Sequence, residues 1–400
     1  MSGSSSRVPA AVALVGAVLG VTFSGYSTLD YAEHLDRRVH DLHCSFVPGA
    51  EPTAEAEACR TAMYSPFSAL FKEELWGGVP ISLFGLGAFA FLFAFALYLL
   101  LAGSRAPRAA VTFFGLVGVT PLLVSVAMFT ISITRLGGLC KTCVGIYIAS
   151  LVVAVGALWS VTAQRGPAES RRAGVSWLLP VAWLFVMGIV TLLPAWVYAQ
   201  GVPDHRPFLT NCGHLAKPKE PHDALVKIRG ARAVQPSIFF EDPLCPTCKA
   251  FHERLTAEGA LDRLDIQLAL FPLDSECNWM LDRPLHPGAC TVSKVILCSE
   301  NPMTALEWAF EQQEELTRAG AAGEPALREL LSRRFGAAML KCVDSRETKL
   351  RLNRHLHFAA DNSIPVSTPQ VYLGDLRLCD EDTDIGLRYA LKQLAPEVLR

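Results

Sequence analysis

The chain has 400 residues, 51% of them hydrophobic and 18% charged, with a formal net charge of −2. That length favours two domains over one, and the near-neutral balance excludes a nucleic-acid partner, because neutralising phosphates needs a basic surface. The 12 cysteines include the pairs Cys140/Cys143 and Cys245/Cys248; in a reducing compartment such a set means metal binding or transient redox work, and in an oxidising one it also means staples.

Up to about Val202 the chain is a series of apolar runs; from Asp204 onward charges of both signs are interspersed. A hydrocarbon core of ~30 Å needs roughly 20 apolar residues in a helix. Val8–Leu29, Leu75–Ser104, Ala109–Thr134, Thr142–Gln164 and Ala173–Pro203 meet that length. Pro121 and Pro180 fall inside spans, where neighbouring helices can satisfy the freed carbonyl. The first span also resembles a cleaved signal peptide, but no small-x-small site follows it.

Basic residues in the short loops set the orientation. Arg7 precedes span 1, Arg105 and Arg108 join spans 2 and 3, and Arg165, Arg171 and Arg172 join spans 4 and 5. With these on the cytoplasmic side, the Asp30–Glu74 loop, the Arg135–Lys141 turn and the C-terminal half lie outside, and every one of the 12 cysteines is on that side or at its membrane boundary. The expected location is an inner (plasma) membrane, multi-pass in the lipid bilayer, with the N-terminus cytoplasmic and the C-terminal half periplasmic or otherwise extracytoplasmic.

Cys140-Lys-Thr-Cys143 opens span 4. A helix N-terminus favours a thiolate through its unpaired N–H groups and dipole. Cys143 sits one turn deeper, so the outer thiol can exchange with protein thiols while the inner one faces a lipophilic acceptor. Cys44 and Cys59, on the preceding outer loop, complete a relay, since disulfide exchange proceeds by thiolate attack on a neighbouring disulfide. The competing reading makes the two pairs static staples.

This arrangement resembles the vitamin K epoxide reductase family in its bacterial form fused to a thioredoxin-like domain. The residues that carry the resemblance are Cys44-Ser-Phe, Cys59 with Ser65, Ile81-Ser-Leu-Phe-Gly85, and Cys140-x-x-Cys143 followed by Tyr147. The resemblance implies a quinone of ubiquinone or menaquinone type as electron acceptor beside Cys143. It implies exchange of Cys140 with Cys59, and Cys44 as the entry point for electrons. It further implies Tyr147 on a quinone carbonyl, Ser65 ordering the loop over the pocket, and Phe84 packing on the ring. Two departures are visible: Ile81 stands where animal members have a quinone-contacting asparagine, and Pro48-Gly-Ala-Glu-Pro-Thr-Ala54 lengthens the Cys44–Cys59 interval.

In the second half, Val234–Phe240 reads as a buried strand running into Glu241-Asp-Pro-Leu-Cys245-Pro-Thr-Cys248 and a helix from Lys249. Strand, Cys-x-x-Cys and helix form a thioredoxin-like active site, with Cys245 the exposed low-pKa nucleophile and Cys248 the buried resolving thiol. Thr368-Pro369 before a strand matches the cis-proline loop facing the nucleophile. About 120 residues separate the two motifs, with helical segments around Met303–Arg318 and Ala326–Lys341. They suggest a helical insertion like that of periplasmic disulfide oxidoreductases. Glu241 and Asp242 could assist proton transfer, but acids in a strand–helix loop are more often at the surface and are expected there, and His252 is expected to face solvent.

Cys-x-x-Cys is also a zinc or copper signature, so the alternative function is a membrane-tethered copper metallochaperone or assembly factor. A mononuclear zinc site would want a further Cys/His pair close by, and no resident metal is expected. Cys212, Cys277, Cys290, Cys298, Cys342 and Cys379 remain. Six cysteines allow fifteen pairings; the fused relatives suggest Cys277 with Cys290, which leaves Cys298 with Cys342 and Cys212 with Cys379 as the guess.

The expected architecture is therefore an all-α transmembrane bundle followed by an α/β thioredoxin-like domain with a helical insertion. The membrane domain of four catalytic helices occupies residues 1–163, a fifth, linking helix and linker 164–204, and the thioredoxin-like domain 205–400. The expected function is a quinone-dependent thiol–disulfide oxidoreductase acting on reduced secreted or periplasmic proteins.

Overall fold

The computed structural model describes residues 7–33, 59, 61–136, 138–163 and 178–400. Cys44, the Pro48–Ala54 stretch, Arg165, Arg171 and Arg172 lie outside the described residues. Two units, Met1–Pro203 and Asp204–Arg400, each hold together through their own contacts.

The first unit contains helices α1 (Arg7–Glu33), α2 (Ile81–Ala102), α3 (Arg108–Val117), α4 (Thr120–Ile131), α5 (Lys141–Ala163) and α6 (Leu178–Gly201). Among the described residues they make five segments long and apolar enough to cross a membrane, with α3 and α4 sharing one. Lipid removes the hydrophobic drive between helices, so close van der Waals packing of small residues takes over. Small residues line the α1–α5 seam: a Cβ on Gly156 would meet the Ala13 backbone nitrogen at 2.5 Å, and one on Gly16 the Val153 nitrogen at 2.7 Å. The apolar cluster at this seam extends to where Phe95 stacks on Phe114 at 5.7 Å and meets Trp183 edge-on at 5.4 Å. Gly156→Val should force α1 from α5 and lower the thermal midpoint in detergent, at a cost of about 1–3 kcal/mol. Gly188→Ala, facing open space, should leave the midpoint unchanged.

The third span differs from the uninterrupted Ala109–Thr134 run expected. It breaks at Gly118 and Val119, and Pro121 falls at the start of α4, where a missing N–H costs nothing. The proline cannot bond the Val117 carbonyl, and the Thr120 hydroxyl donates to it instead at 2.7 Å. Pro180 likewise sits in the first turn of α6, whereas Pro194, not singled out from the sequence, is the proline inside that helix. It releases the Val190 carbonyl, and Gly87 of α2 packs against that group: a Cβ there would lie 2.6 Å from it. Between α1 and α2 a short antiparallel pair, β1 (Ala69–Leu70) and β2 (Val79–Pro80), turns through Gly77 and Gly78 at positive φ. The Tyr31 hydroxyl donates to the Gly77 carbonyl.

The second unit is built on strands β3 (Val226–Arg229), β4 (Gln235–Glu241), β5 (Leu264–Leu270), β6 (Gln370–Leu373) and β7 (Leu376–Arg377), in the order β3-β5-β4-β6-β7. Only β4 and β5 are parallel. Parallel neighbours need a crossover, supplied by α7 (Pro246–Ala257). Strand β4 lies mid-sheet and is buried on both faces, so it reads as an unbroken apolar run rather than an alternating one. Phe240 stacks on Phe358 at 5.6 Å, and Phe239 meets Phe251 at 5.8 Å. This is a thioredoxin-like sheet.

Six helices are inserted between β5 and β6: α8 (Ala289–Cys298), α9 (Pro302–Glu311), α10 (Gln313–Ala322), α11 (Glu324–Phe335), α12 (Ala337–Asp344) and α13 (Arg346–Asp361). The two longer helical segments expected here are interrupted near Gln312 and at Gly336 (φ 81°). After β7, α14 (Leu387–Leu394) completes the unit. Disulfides join Cys212–Cys379, Cys277–Cys290 and Cys298–Cys342.

Candidate active site

In the membrane unit three cysteines converge. Cys140 immediately precedes α5 and Cys143 lies in its first turn. Cys59 comes from the segment before β1, and its sulfur lies 2.7 Å from that of Cys140. Cys143 is hydrogen-bonded to Cys140 in turn. The three sulfurs thus form a chain along the wall of a cavity of about 370 Å³, lined mainly by apolar side chains. That volume suits the ring of a small hydrophobic ligand.

Ser65, Phe84 and Tyr147 all line this cavity, as does Ile81. The Ser65 hydroxyl donates to the Ala62 carbonyl at 2.7 Å, and its own carbonyl accepts from the buried Lys72 amine at 2.6 Å. Ser65 thereby fixes the turn leading into β1. Tyr147, one turn beyond Cys143, is braced edge-on by Phe129 at 5.9 Å. Besides Ser65 and Tyr147, the wall carries the Asp30 carboxylate and further hydroxyls that the sequence reading passed over. Ser125 and Ser150 bond each other at 2.8 Å, and Thr28 donates to Ser82 at 3.0 Å. Their only sequence signal was a recurrence of serine and threonine on otherwise apolar spans.

In the second unit, β4 delivers the chain to the Cys-x-x-Cys turn. Cys245 is the N-cap of α7, with Pro246 at the first helical position. Its thiol points to the Thr368 carbonyl at 3.4 Å, and the Thr368–Pro369 bond is cis. Cys245 was expected to be exposed, yet only 5% of it is accessible. The Thr368 loop, which the thiol itself contacts, helps to cover it. A hydrogen bond from Cys248, helped by the Thr368 hydroxyl and the Cys248 N–H, pulls the Cys245 thiol down to about 6 against the opposing effects of burial and Asp242. Burial pushes Cys248 well above the usual thiol range.

Three expectations around this turn are corrected. Glu241 and Asp242 are fully buried at 0% exposure, and His252 is buried at 6%. Glu241 closes the central strand, and α7 lays His252 over it, so the two bond at 2.9 Å beneath the active-site turn. Burial alone would lower the imidazole's pKa, but the Glu241 carboxylate outweighs it and raises it. The second oxygen of Glu241 has no hydrogen-bond partner and its charge reaches Cys248. Asp242 receives three N–H groups: Leu244 and Leu273 from the backbone, each at 2.7 Å, and His286 Nδ1 at 2.7 Å. Among the described residues, the side chains grouped closely enough to hold a metal are Cys212, Cys379 and Glu381, and these two cysteines are joined as a disulfide.

A dithiol pair on a membrane-helix cavity and a second on a thioredoxin-like turn define the class: the chain is a membrane thiol–disulfide oxidoreductase. Its bundle is a domain of the Vitamin K epoxide reductase family, whose sequence profile matches residues 11–158. Among solved structures, the chain is similar to a thioredoxin-like oxidoreductase from Silicibacter pomeroyi DSS-3. Identity is 13% and the TM-score 0.28, over 47% of this chain and 96% of that one. It is also similar to Proteus mirabilis ScsC in a transitional conformation, at 16% identity and TM-score 0.27, over 56% and 99%. No curated protein matches the chain.

Proposed function

We propose that the chain oxidises thiols of secreted or periplasmic proteins and delivers the electrons to a membrane quinone, with its N-terminus cytoplasmic and the Cys245 turn on the outer face. The observation that supports this best is the chain of Cys59, Cys140 and Cys143 sulfurs ending on an apolar cavity inside a membrane bundle.

In the oxidised enzyme, a substrate thiolate attacks the Cys245–Cys248 disulfide, and a second substrate thiol releases it. The substrate gains a disulfide, while the enzyme gains two electrons and two protons. Cys245, low in pKa and seated on a helix N-terminus, is the sulfur that leaves and attacks most readily. In reoxidation Cys245 attacks at Cys44, and Cys248 must shed a proton to resolve the Cys245–Cys44 mixed disulfide; the Glu241 carboxylate, whose charge reaches Cys248 and which is backed by His252, is the base proposed for it. Electrons then pass by exchange to Cys44 and Cys59, and from Cys59 to the Cys140–Cys143 pair. A quinone bound in the cavity supplies the two-electron, two-proton acceptor. Tyr147 offers its hydroxyl there and Phe84 its ring, while Ser65 holds the overlying turn. Domain limits at residues 163 and 204 separate the catalytic bundle, the linking span and the thioredoxin-like domain in this reading.

Purified Cys143→Ala protein should reduce a soluble quinone analogue at background rate while its Cys245–Cys248 pair still exchanges with glutathione. Unchanged quinone turnover in that variant would refute the assignment.

A further inference from the structure

The buried carboxylate beside the soluble nucleophile poses an electrostatic problem. Asp242 stands three residues before Cys245, and its own carbonyl accepts the Cys245 N–H at 3.1 Å. Its side chain is fully buried and accepts from three N–H donors, as a carboxylate does. An anion fixed near a thiol disfavours the thiolate. Cys248 helps with hydrogen bonds, but the two residues between the cysteines, Pro246 and Thr247, carry no charge to offset the anion.

The remedy comes from a loop well downstream in the chain. His286 is brought to Asp242 by the segment between β5 and α8, and the hold on that segment is extensive. The His286 and Leu285 N–H groups both donate to the Leu273 carbonyl, at 3.0 and 2.9 Å. The Asp274 carboxylate accepts from the Gly288 N–H at 2.9 Å, and the Cys277–Cys290 disulfide closes the segment. The ring is thus built in place rather than swinging free. The ionisable groups facing it are Asp242, Cys245 and Asp274, all of which favour its charged form against the effect of burial.

We propose that His286 is a positioning residue for the Cys245 nucleophile: as an imidazolium on Asp242, it cancels the buried carboxylate's charge and lets Cys245 hold a thiolate. The inference rests on the reading of Cys245/Cys248 as the exchanging pair, and no step of it involves the membrane cavity. His286 thereby supplies from the loop the cation that the Cys-Pro-Thr-Cys turn lacks.

The test uses the full-length reduced protein in detergent. Alkylation of Cys245 by iodoacetamide is followed across pH by mass spectrometry of the Cys245 peptide, which isolates this thiol from the others. Wild type should titrate with a midpoint of about 6. His286→Gln strips the neutralising charge and should raise the midpoint by about one unit, a roughly tenfold loss of thiolate at a pH below both midpoints. His286→Arg, which keeps a cation, should stay near wild type. The double variant Asp242→Asn/His286→Gln removes both charges and should return toward wild type. An unchanged midpoint in His286→Gln, or a double variant as displaced as the single, overturns the role given to His286. A wild-type midpoint in the ordinary thiol range instead overturns the reading of Cys245 as the activated nucleophile.

Discussion

Cys59→Ala should cut electron flow from protein thiols to the membrane pair, lowering turnover on a reduced protein substrate on the order of a thousandfold or more. The reason lies in the spacing of the sulfurs. Disulfide exchange needs the attacking sulfur in contact with the disulfide it attacks, and Cys59 supplies the sulfur in contact with Cys140. Alanine removes it without adding bulk to the cavity wall. The Cys245–Cys248 pair should then accumulate as the dithiol, trapped by alkylation. A small dithiol reductant can bypass the break, because Cys143 is only half-buried. Turnover driven by that reductant should stay within about tenfold of wild type, since the rate then depends on access to the Cys140–Cys143 pair. An equal loss with both reductants would mean that Cys59 merely supports the fold.

The second large effect falls on stability. His355 of α13 is fully buried; its Nδ1 accepts the Leu270 N–H at 2.9 Å and its Nε2–H donates to the Ala224 carbonyl at 2.8 Å. The ring therefore fastens the inserted helices to β5 and to the approach to β3. His355→Phe puts a slightly larger apolar ring in its place, strands the Leu270 N–H and leaves the Ala224 carbonyl only its bond from Arg351 Nε at 2.8 Å, at a cost of about 3 kcal/mol. The soluble unit should then melt about 6–12 °C lower, read as the temperature at which buried Cys248 becomes open to alkylation.

The same ring sets a pH dependence. A proton on Nδ1 would face the Leu270 donor, and burial holds the imidazole down to about 4 from 6.5. The unfolded chain takes up that proton first. The His355 contribution is therefore complete above 6.5 and is lost as pH falls toward 4, about 3 kcal/mol in all. Asp384 pulls the other way: burial raises its carboxyl from 3.8 to about 6, so its contribution is present below 3.8 and is lost as pH rises toward 6. The difference between wild type and His355→Phe isolates the histidine: it should shrink as pH falls from 6.5 to 4. A difference independent of pH would show that the ring acts through bulk alone.

The membrane spans and both Cys-x-x-Cys turns were legible because they rest on local signals: apolar length, and a strand running into a helix N-terminus. The limits of those signals show at particular residues. Ala109–Thr134 reads as one span because apolarity does not register a helix break, and the Thr120–Val117 bond that seals the break involves a side chain of no obvious note. Glu241, Asp242 and His252 were assigned to the surface because charged residues beside a turn are solvated far more often than not. Burial of all three follows from the central position of β4 and from helices inserted after it, which no local window contains. The six remaining cysteines were open to fifteen pairings for the same reason. Partners such as Cys212 and Cys379, 167 residues apart, meet only through the whole sheet.

Every newly made copy of this chain begins with the cysteines of its three staples as thiols. The loop that presents His286 is tied down only once Cys277 and Cys290 have been joined, and the ends of the soluble unit only once Cys212 and Cys379 have been. Maturation therefore requires three thiol oxidations before the soluble unit, and with it the turn around Cys245, is fully held in place.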